Sequence, residues 1–288
     1  MENSNDLLQN ISASYKSMSK GQKQIAQYIL DNYDKAAFIT ASKMGKVVGV
    51  SESTVVRFAY ALGYDGYPAL QRSLQELIRN KLTSVQRIQL TGDIREGDVL
   101  KTVLKADMHN IRATIENVDE GAFGRVVEGM LQARTVYVLG QRSSTPLAEF
   151  FGYYLNFVLD HVVIVTAGTG DIFEQMIRIG EEDLCVGISF PRYSTRTVEG
   201  MKYAKGKGAR VIALTDGMLS PLAECAEEVL VARSDMASFA DSLVAPLSLI
   251  NAIIVALSMR KKDEVSRRFS QLEAIWDKQR VYIGKDSR

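Results

Sequence analysis

A chain of 288 residues, 46% hydrophobic and 24% charged, is long enough for two domains with separate cores, and its ordinary composition argues against a disordered or fibrous protein. No apolar run reaches membrane-spanning length, and the polar start MENSNDLLQN lacks the charged and apolar regions of a secretory signal, so a cytoplasmic protein with no membrane partner is expected. The formal net charge of +1 conceals an asymmetry: residues 1–90 hold 11 Lys/Arg against 7 Asp/Glu, whereas residues 91–288 hold 24 against 27.

The first helical pattern is KGQKQIAQYILDNYDK, residues 20–35, with Ile25, Tyr28 and Ile29 on one face. A short helix follows over residues 40–49 and stops at Gly49. The step Gly49-Val50-Ser51 then has the length of the turn in a helix-turn-helix. Ser51 is suited to cap the next helix and Glu52 to sit at its positive end. Within that helix Val55, Phe58, Ala59 and Leu62 recur at three- and four-residue spacing. Its other face carries Ser53, Thr54, Arg57 and Tyr60, side chains able to reach phosphates or base edges in a major groove. An ordinary amphipathic surface helix is the alternative. Gly63 and Gly66 supply turns before Tyr67 and Pro68 open a helix over residues 68–82. Lys43, Lys46 and Arg72 add positive charge, either toward DNA or as a solvated face. One copy holds too few cations for tight binding, which points to a dimer presenting two.

Between Thr83 and Gly97 the pattern weakens and TGD and EGD read as turns, placing the linker there. Two helices are expected over residues 98–118 and 119–134, with His109 in the first. From Arg134 the texture changes to five β-branched runs, TVYVLG, HVVIVT, DLCVGIS, ARVIALT and EVLVA, separated by helix-length segments. Parallel strands this apolar are buried on both faces, which makes a three-layer, doubly wound α/β domain whose ligands bind beyond the carboxyl ends of the strands. The polar loops there are 140–145, 189–195, 215–222 and 234–241. Ser220 with Pro221 is expected to open a helix, and residues 238–260 form a long apolar one. A closing helix over residues 262–280 places Phe269, Leu272 and Trp276 on one core-facing side. Cys185, in a strand, and Cys225, in a helix, have no metal-ligand spacing, and with only His109 and His161 besides, neither a metal site nor a cofactor is expected.

The run from Ser51 to Tyr67, the segment MSKGQKQIAQYIL and the succession of strand-end loops together resemble the MurR/RpiR family of bacterial transcriptional regulators, an N-terminal helix-turn-helix followed by a sugar isomerase (SIS) domain of flavodoxin-like fold. The resemblance divides the chain into a helix-turn-helix domain (1–82), a linker (83–98) and a SIS domain (99–288, sheet core about 130–262). It implies that Ser53, Thr54 and Arg57, with Ser51, Tyr60, Lys43 and Lys46 around them, face double-stranded operator DNA. It implies that serine and threonine loops grip a phosphosugar, with Ser144, Ser189 and Ser194 at the family's polar positions and Gly140, Ser143 and Thr195 beside them. Two family glycines are replaced, by Arg142 and Arg192, and a family serine by Pro191. Loss of glycine argues that the anion is held differently or that the ligand differs, and two guanidiniums can compensate by bidentate bonds to a phosphosugar or sugar acid. Structural ion pairs at the sheet edge are the alternative role for these arginines. The function expected is a homodimeric or tetrameric, non-enzymatic regulator of carbohydrate metabolism. A sugar-phosphate isomerase is the alternative, although Glu149, Glu199 and Glu224 form no evident acid/base pair; so is a SIS protein that dimerises without ligand.

Overall fold

The computed structural model describes residues 7, 10–12, 14–81, 84–89, 96–168, 170–236 and 239–283, and the chain divides into two compact units, 1–90 and 91–288. The first is all helical: α1 (Lys20–Asp31), α2 (Tyr33–Ala36), α3 (Ala41–Val48), α4 (Glu52–Ala61), α5 (Tyr67–Lys81) and α6 (Ser84–Gln89). The single helix expected over 20–35 is broken at Asn32, whose backbone leaves the helical region at φ −139°, ψ 42°. The helix α6 falls inside the segment expected to be a linker; residues 83 and 90–95 of that segment lie outside the described residues.

Three helices of the first unit start at a capping side chain. Ser19 and Gln22 form a capping box at α1, Thr40 caps α3 and Ser51 caps α4. After α4 the Tyr64 N–H reaches the Ala59 carbonyl at 3.1 Å and the Gly63 N–H reaches Tyr60 at 3.0 Å, with Gly63 at φ +86°. That is a Schellman ending, which the glycine makes accessible. The carbonyls between α2 and α3 are satisfied from one face of α5: Tyr67 donates to Ile39 (2.8 Å), Gln71 to Ile39 (3.0 Å) and Gln75 to Ala37 (3.0 Å).

Burial, together with Tyr28 close by, pushes the Tyr67 phenol up to about 12. A folded-state value above the unfolded one means that the stabilisation is complete below about pH 10 and is lost as pH rises toward 12. Tyr67→Phe is therefore expected to cost about 1 kcal/mol near neutrality through the lost hydrogen bond, and to decline less steeply than the parent between these pH values in denaturant titrations.

The second unit opens with α7 (Val99–Asn117) and α8 (Glu120–Gln132), then alternates β1 (Val136–Gly140), α9 (Thr145–Val158), β2 (Val162–Val165), α10 (Ile172–Gln175), β3 (Leu184–Ile188), α11 (Thr195–Gly206), β4 (Arg210–Thr215) and β5 (Glu228–Val231), and closes with α12 (Val244–Arg260) and α13 (Lys262–Gln279). All five strands are parallel, in the order β2-β1-β3-β4-β5. Alternate side chains feed two cores: Val136, Val138 and Val186 pack with α8, α9 and α12, while Leu139, Cys185 and Val211 pack with α10 and α11. The three expected layers are present. Burial pushes the Cys185 thiol up to about 12, so it stays an inert core group.

Three expected features differ. Ser220 does accept a bond from the Ala223 N–H (3.2 Å), but only turns follow, so Cys225 lies in a turn rather than a helix. The apolar helix begins at Val244 instead of residue 238. Phe269, Leu272 and Trp276 are half-buried, and α13 holds no buried residue; Phe269 meets Phe157 of α9 at 5.3 Å between ring centres.

One helix is tied to a strand end. Asn110 of α7, fully buried, donates to the Asp235 carbonyl (2.9 Å) and accepts from its N–H (3.1 Å), and Thr114 accepts from the Arg233 N–H (2.9 Å).

Candidate nucleic-acid interface and ligand site

The geometry of the first unit turns on the contact between α3 and α4. A Cβ on Gly45 would stand 2.7 Å from the Val50 carbonyl oxygen, so glycine there lets the two helices meet across the turn. Gly45→Ala is expected to destabilise the protein by about 1–3 kcal/mol in denaturant titrations, even though alanine favours a helix, because the obstructing atom is backbone. Unchanged stability would show that the crossing tolerates a methyl group.

Val55, Phe58, Ala59 and Leu62 are all buried, as their spacing implied, and the opposite face is open: Ser53 and Arg57 are exposed and Tyr60 is 57% exposed. At the N-terminus of α4, Ser51 Oγ accepts from the Thr54 N–H (3.2 Å) and lies 2.9 Å from Ser53 Oγ and 2.8 Å from Thr54 Oγ1. Three hydroxyls thus sit together at the positive end of a helix. Ser51, Thr54 and Arg57 share a groove of about 510 Å³ with Ser19, Gly21, Gln22 and Val50. The N-termini of α1 and α4 both open onto it, and partial positive charge at helix starts favours anionic oxygens. Lys43 and Lys46 are exposed on α3 and are not among the residues lining this groove. The contribution of α1 went unnoticed in the sequence, where the S-x-x-Q box at Ser19 was its one signal.

In the second unit the register fixes the level of the strand ends. Gly140 pairs with Ile188 and Ile188 with Leu214, so the loops after β1 and β3 leave the sheet side by side at the point where the strand order reverses. Gly140 has no room for a side chain: a Cβ would meet Ala148 at 2.7 Å and the Ser144 carbonyl at 2.9 Å. Arg142, Ser143 and Ser144 make a short 3-10 turn into α9, with Ser144 buried and Arg142 and Ser143 exposed. After β3, Ser189 Oγ accepts from the Ser194 N–H (3.0 Å) and Ser194 Oγ caps α11 by accepting from the Thr197 N–H (3.3 Å). Both serines are buried and Thr195 is exposed. A hydroxyl that accepts in this way keeps its proton for donation to an anion.

Arg142 has φ +58° and Arg192 φ +61°, and both are exposed. At both positions arginine holds the left-handed backbone that glycine would supply without strain. Each costs about 1–2 kcal/mol. Tyr193 and Asp216 were not foreseen here: the Tyr193 hydroxyl donates to Asp216 Oδ1 at 2.7 Å, joining the β3 loop to the end of β4. Nothing in the spacing of the sequence signals that bond.

A helix-turn-helix module in the same chain as a doubly wound sheet with serine loops at its strand ends defines a class, transcriptional regulators built on a SIS domain. The rpiR-family helix-turn-helix domain matches residues 5–81 and the SIS domain matches residues 129–256. The chain is 27% identical over 278 residues to an uncharacterized HTH-type transcriptional regulator of Haemophilus influenzae, covering 94% of this chain and 96% of that one. Among solved structures, the sugar isomerase domain of an RpiR transcription factor from Sphaerobacter thermophilus is similar at 25% identity and TM-score 0.59, covering 62% of this chain and 99% of that one. The Vibrio vulnificus NanR protein complexed with ManNAc-6P shares the fold at 20% identity and TM-score 0.57 over 93% of this chain and 98% of its own. The chain belongs to the rpiR family of helix-turn-helix transcriptional regulators.

Proposed function

We propose that this regulator is a cytoplasmic homodimer that binds operator DNA through α4 and responds to a small anionic metabolite, a phosphosugar or sugar acid, held between the loops after β1 and β3. The observation that carries the ligand reading is the pair of left-handed arginines at the ends of adjacent strands, since backbone strain of this kind persists where it serves a site. Ser144, Ser189 and Ser194 with the first-turn N–H groups of α11 supply donors for the anion, and Arg142 and Arg192 supply charge. The phosphosugar ManNAc-6P in the NanR complex makes this ligand class the first to try. On the DNA side Arg57, Ser53 and Tyr60 face the major groove, Ser51 and Thr54 approach the backbone, and Lys43 and Lys46 add phosphate contacts.

A second copy is supported by α7, which exposes Leu100, Leu104, Met108 and Ile115 at four- and seven-residue intervals. This stripe runs to a groove of about 570 Å³ between α7, α8 and α12, lined by Ile111, Phe123 and Leu249. An apolar strip of that length is normally covered, and two copies give the doubled cations that operator affinity requires.

Catalysis is not part of the reading. Glu149, Glu199 and Glu224 are exposed, Glu199 lies 3.4 Å from Arg196, and neither histidine stands in a strand-end loop. Turnover of an aldose or ketose phosphate by the purified chain would reverse that assignment. Effector binding is tested by melting the protein with hexose phosphates, pentose phosphates and sugar acids at millimolar concentration. A ligand at 100 times its Kd adds about 2.7 kcal/mol and raises Tm by several degrees. A flat response to the whole panel would leave the strand ends without a ligand of this class.

A further inference from the structure

Beside the groove that opens on Ser51, Thr54 and Arg57, α1 lines a second one. Ser19 lines the first, and the next residue, Lys20, lines the second, of about 500 Å³, with Tyr15, Lys23, Gln24 and Gln27. Lys23 Nζ stands 5.9 Å from the centre of the Tyr15 ring, and the Tyr15 hydroxyl donates to Gln27 Oε1 at 3.5 Å. Residues 7–30 contain Lys16, Lys20 and Lys23 and no Asp or Glu. The first acid beyond them, Asp31, accepts from the Gln27 amide at 2.9 and 3.0 Å.

This second groove has no carboxylate among its lining residues. It presents ammonium, amide and phenol groups, and the α1 N-terminus adds partial positive charge. Lysine is a flexible point charge, suited to following phosphates and poorly suited to bidentate recognition of a base edge. A face of this composition, on the same helix start as the groove of the recognition helix, fits the sugar-phosphate backbone of the same duplex.

We propose that Tyr15, Lys20, Lys23 and Gln24 form a second DNA contact outside the helix-turn-helix, laid on backbone phosphates, so that the protein's footprint extends beyond the bases reached by α4. The inference rests on the reading of α4 as the DNA helix. Lys20 and Lys23 bind without regard to sequence and set the salt dependence, whereas Arg57 sets preference among sequences.

The test is fluorescence anisotropy of the full-length chain on a labelled duplex of random sequence across a salt series, comparing the parent, Lys20→Gln and Lys20→Gln/Lys23→Gln. Each lost phosphate contact lowers the slope of log K against log salt by about 0.9, so the expected reductions are about 1 and about 2. Lys20 is exposed and Lys23 partly so, and matching melting curves confirm that the variants fold. A parent that binds with a salt-dependent affinity and a double variant with the same slope would overturn this second contact while leaving α4 intact. A parent that binds neither random duplex nor DNA from the region upstream of its own gene would overturn the DNA reading itself, and this inference with it.

Discussion

Arg57→Ala is expected to lower affinity for operator DNA by at least ten-fold at fixed salt, with the fold unchanged. Arg57 is exposed on the open face of α4, while Val55, Phe58 and Ala59 hold the helix from the other side, so truncation removes a contact and leaves the packing alone. A good arginine contact to a base is worth about 1–3 kcal/mol, and a dimer loses it at both half-sites. Competition between operator and random duplex separates the two possible targets. If Arg57 reads a base, the preference for operator falls; if it binds a phosphate, both affinities fall together and the salt slope drops by about 1. Operator affinity unaltered in the variant would mean that α4 is not the recognition helix.

The second large effect is expected at the strand ends, where alanine and glycine substitutions separate the side chain from the backbone. Arg142 and Arg192 combine a guanidinium with a left-handed backbone. Replacing either by alanine removes the charge and keeps the strain; replacing it by glycine removes both. Each variant is expected to bind the metabolite about 10–100-fold more weakly in calorimetry, since hydrogen bonds to charged groups contribute about 1.5–3 kcal/mol. Arg192→Gly should be more stable than Arg192→Ala by about 1 kcal/mol, because glycine adopts positive φ freely. Two variants with equal stability would show that the loop relaxes without cost. Glycine variants that retain full affinity would show that the guanidiniums take no part in holding the ligand.

Much of the architecture was legible because it rests on local rules. The polar face of α4 and its buried face follow from residue spacing alone, and the five strands from their β-branched runs, the edge strands β2 and β5 being only partly buried. The misses have a common physical origin. Asn32 interrupts what reads as one helix, and Ser220 with Pro221 carries every signal of a helix start but leads only into turns. In both places local propensity permits a helix and the surrounding packing decides against it. The bond between Tyr193 and Asp216 joins residues 23 positions apart, and no periodicity encodes it. Arg142 and Arg192 are instructive in the other direction. Their identity argues that an anion is held differently or that the ligand differs, and the backbone angles add that each side chain projects from a left-handed position.

Communication between the two ends of the molecule has a physical candidate in α7. Its Asn110 and Thr114 grip the segment after β5, and its own N-terminal end follows directly on the segment expected to link the two domains. A ligand that favoured one arrangement of the segment after β5 over another would bias α7 with it, and only a difference in affinity between two such arrangements can do so.

Metabolite control of transcription requires coupling between the metabolite and DNA. The most direct measurement is the affinity of the full-length protein for DNA from the region upstream of its own gene, with and without a saturating amount of the phosphosugar or sugar acid that raises its melting temperature. A coupling free energy of about 1–3 kcal/mol, a change of roughly 5–150-fold in operator affinity in either direction, is the predicted result. Equal affinity in the two conditions, with ligand binding verified in the same samples, would contradict it.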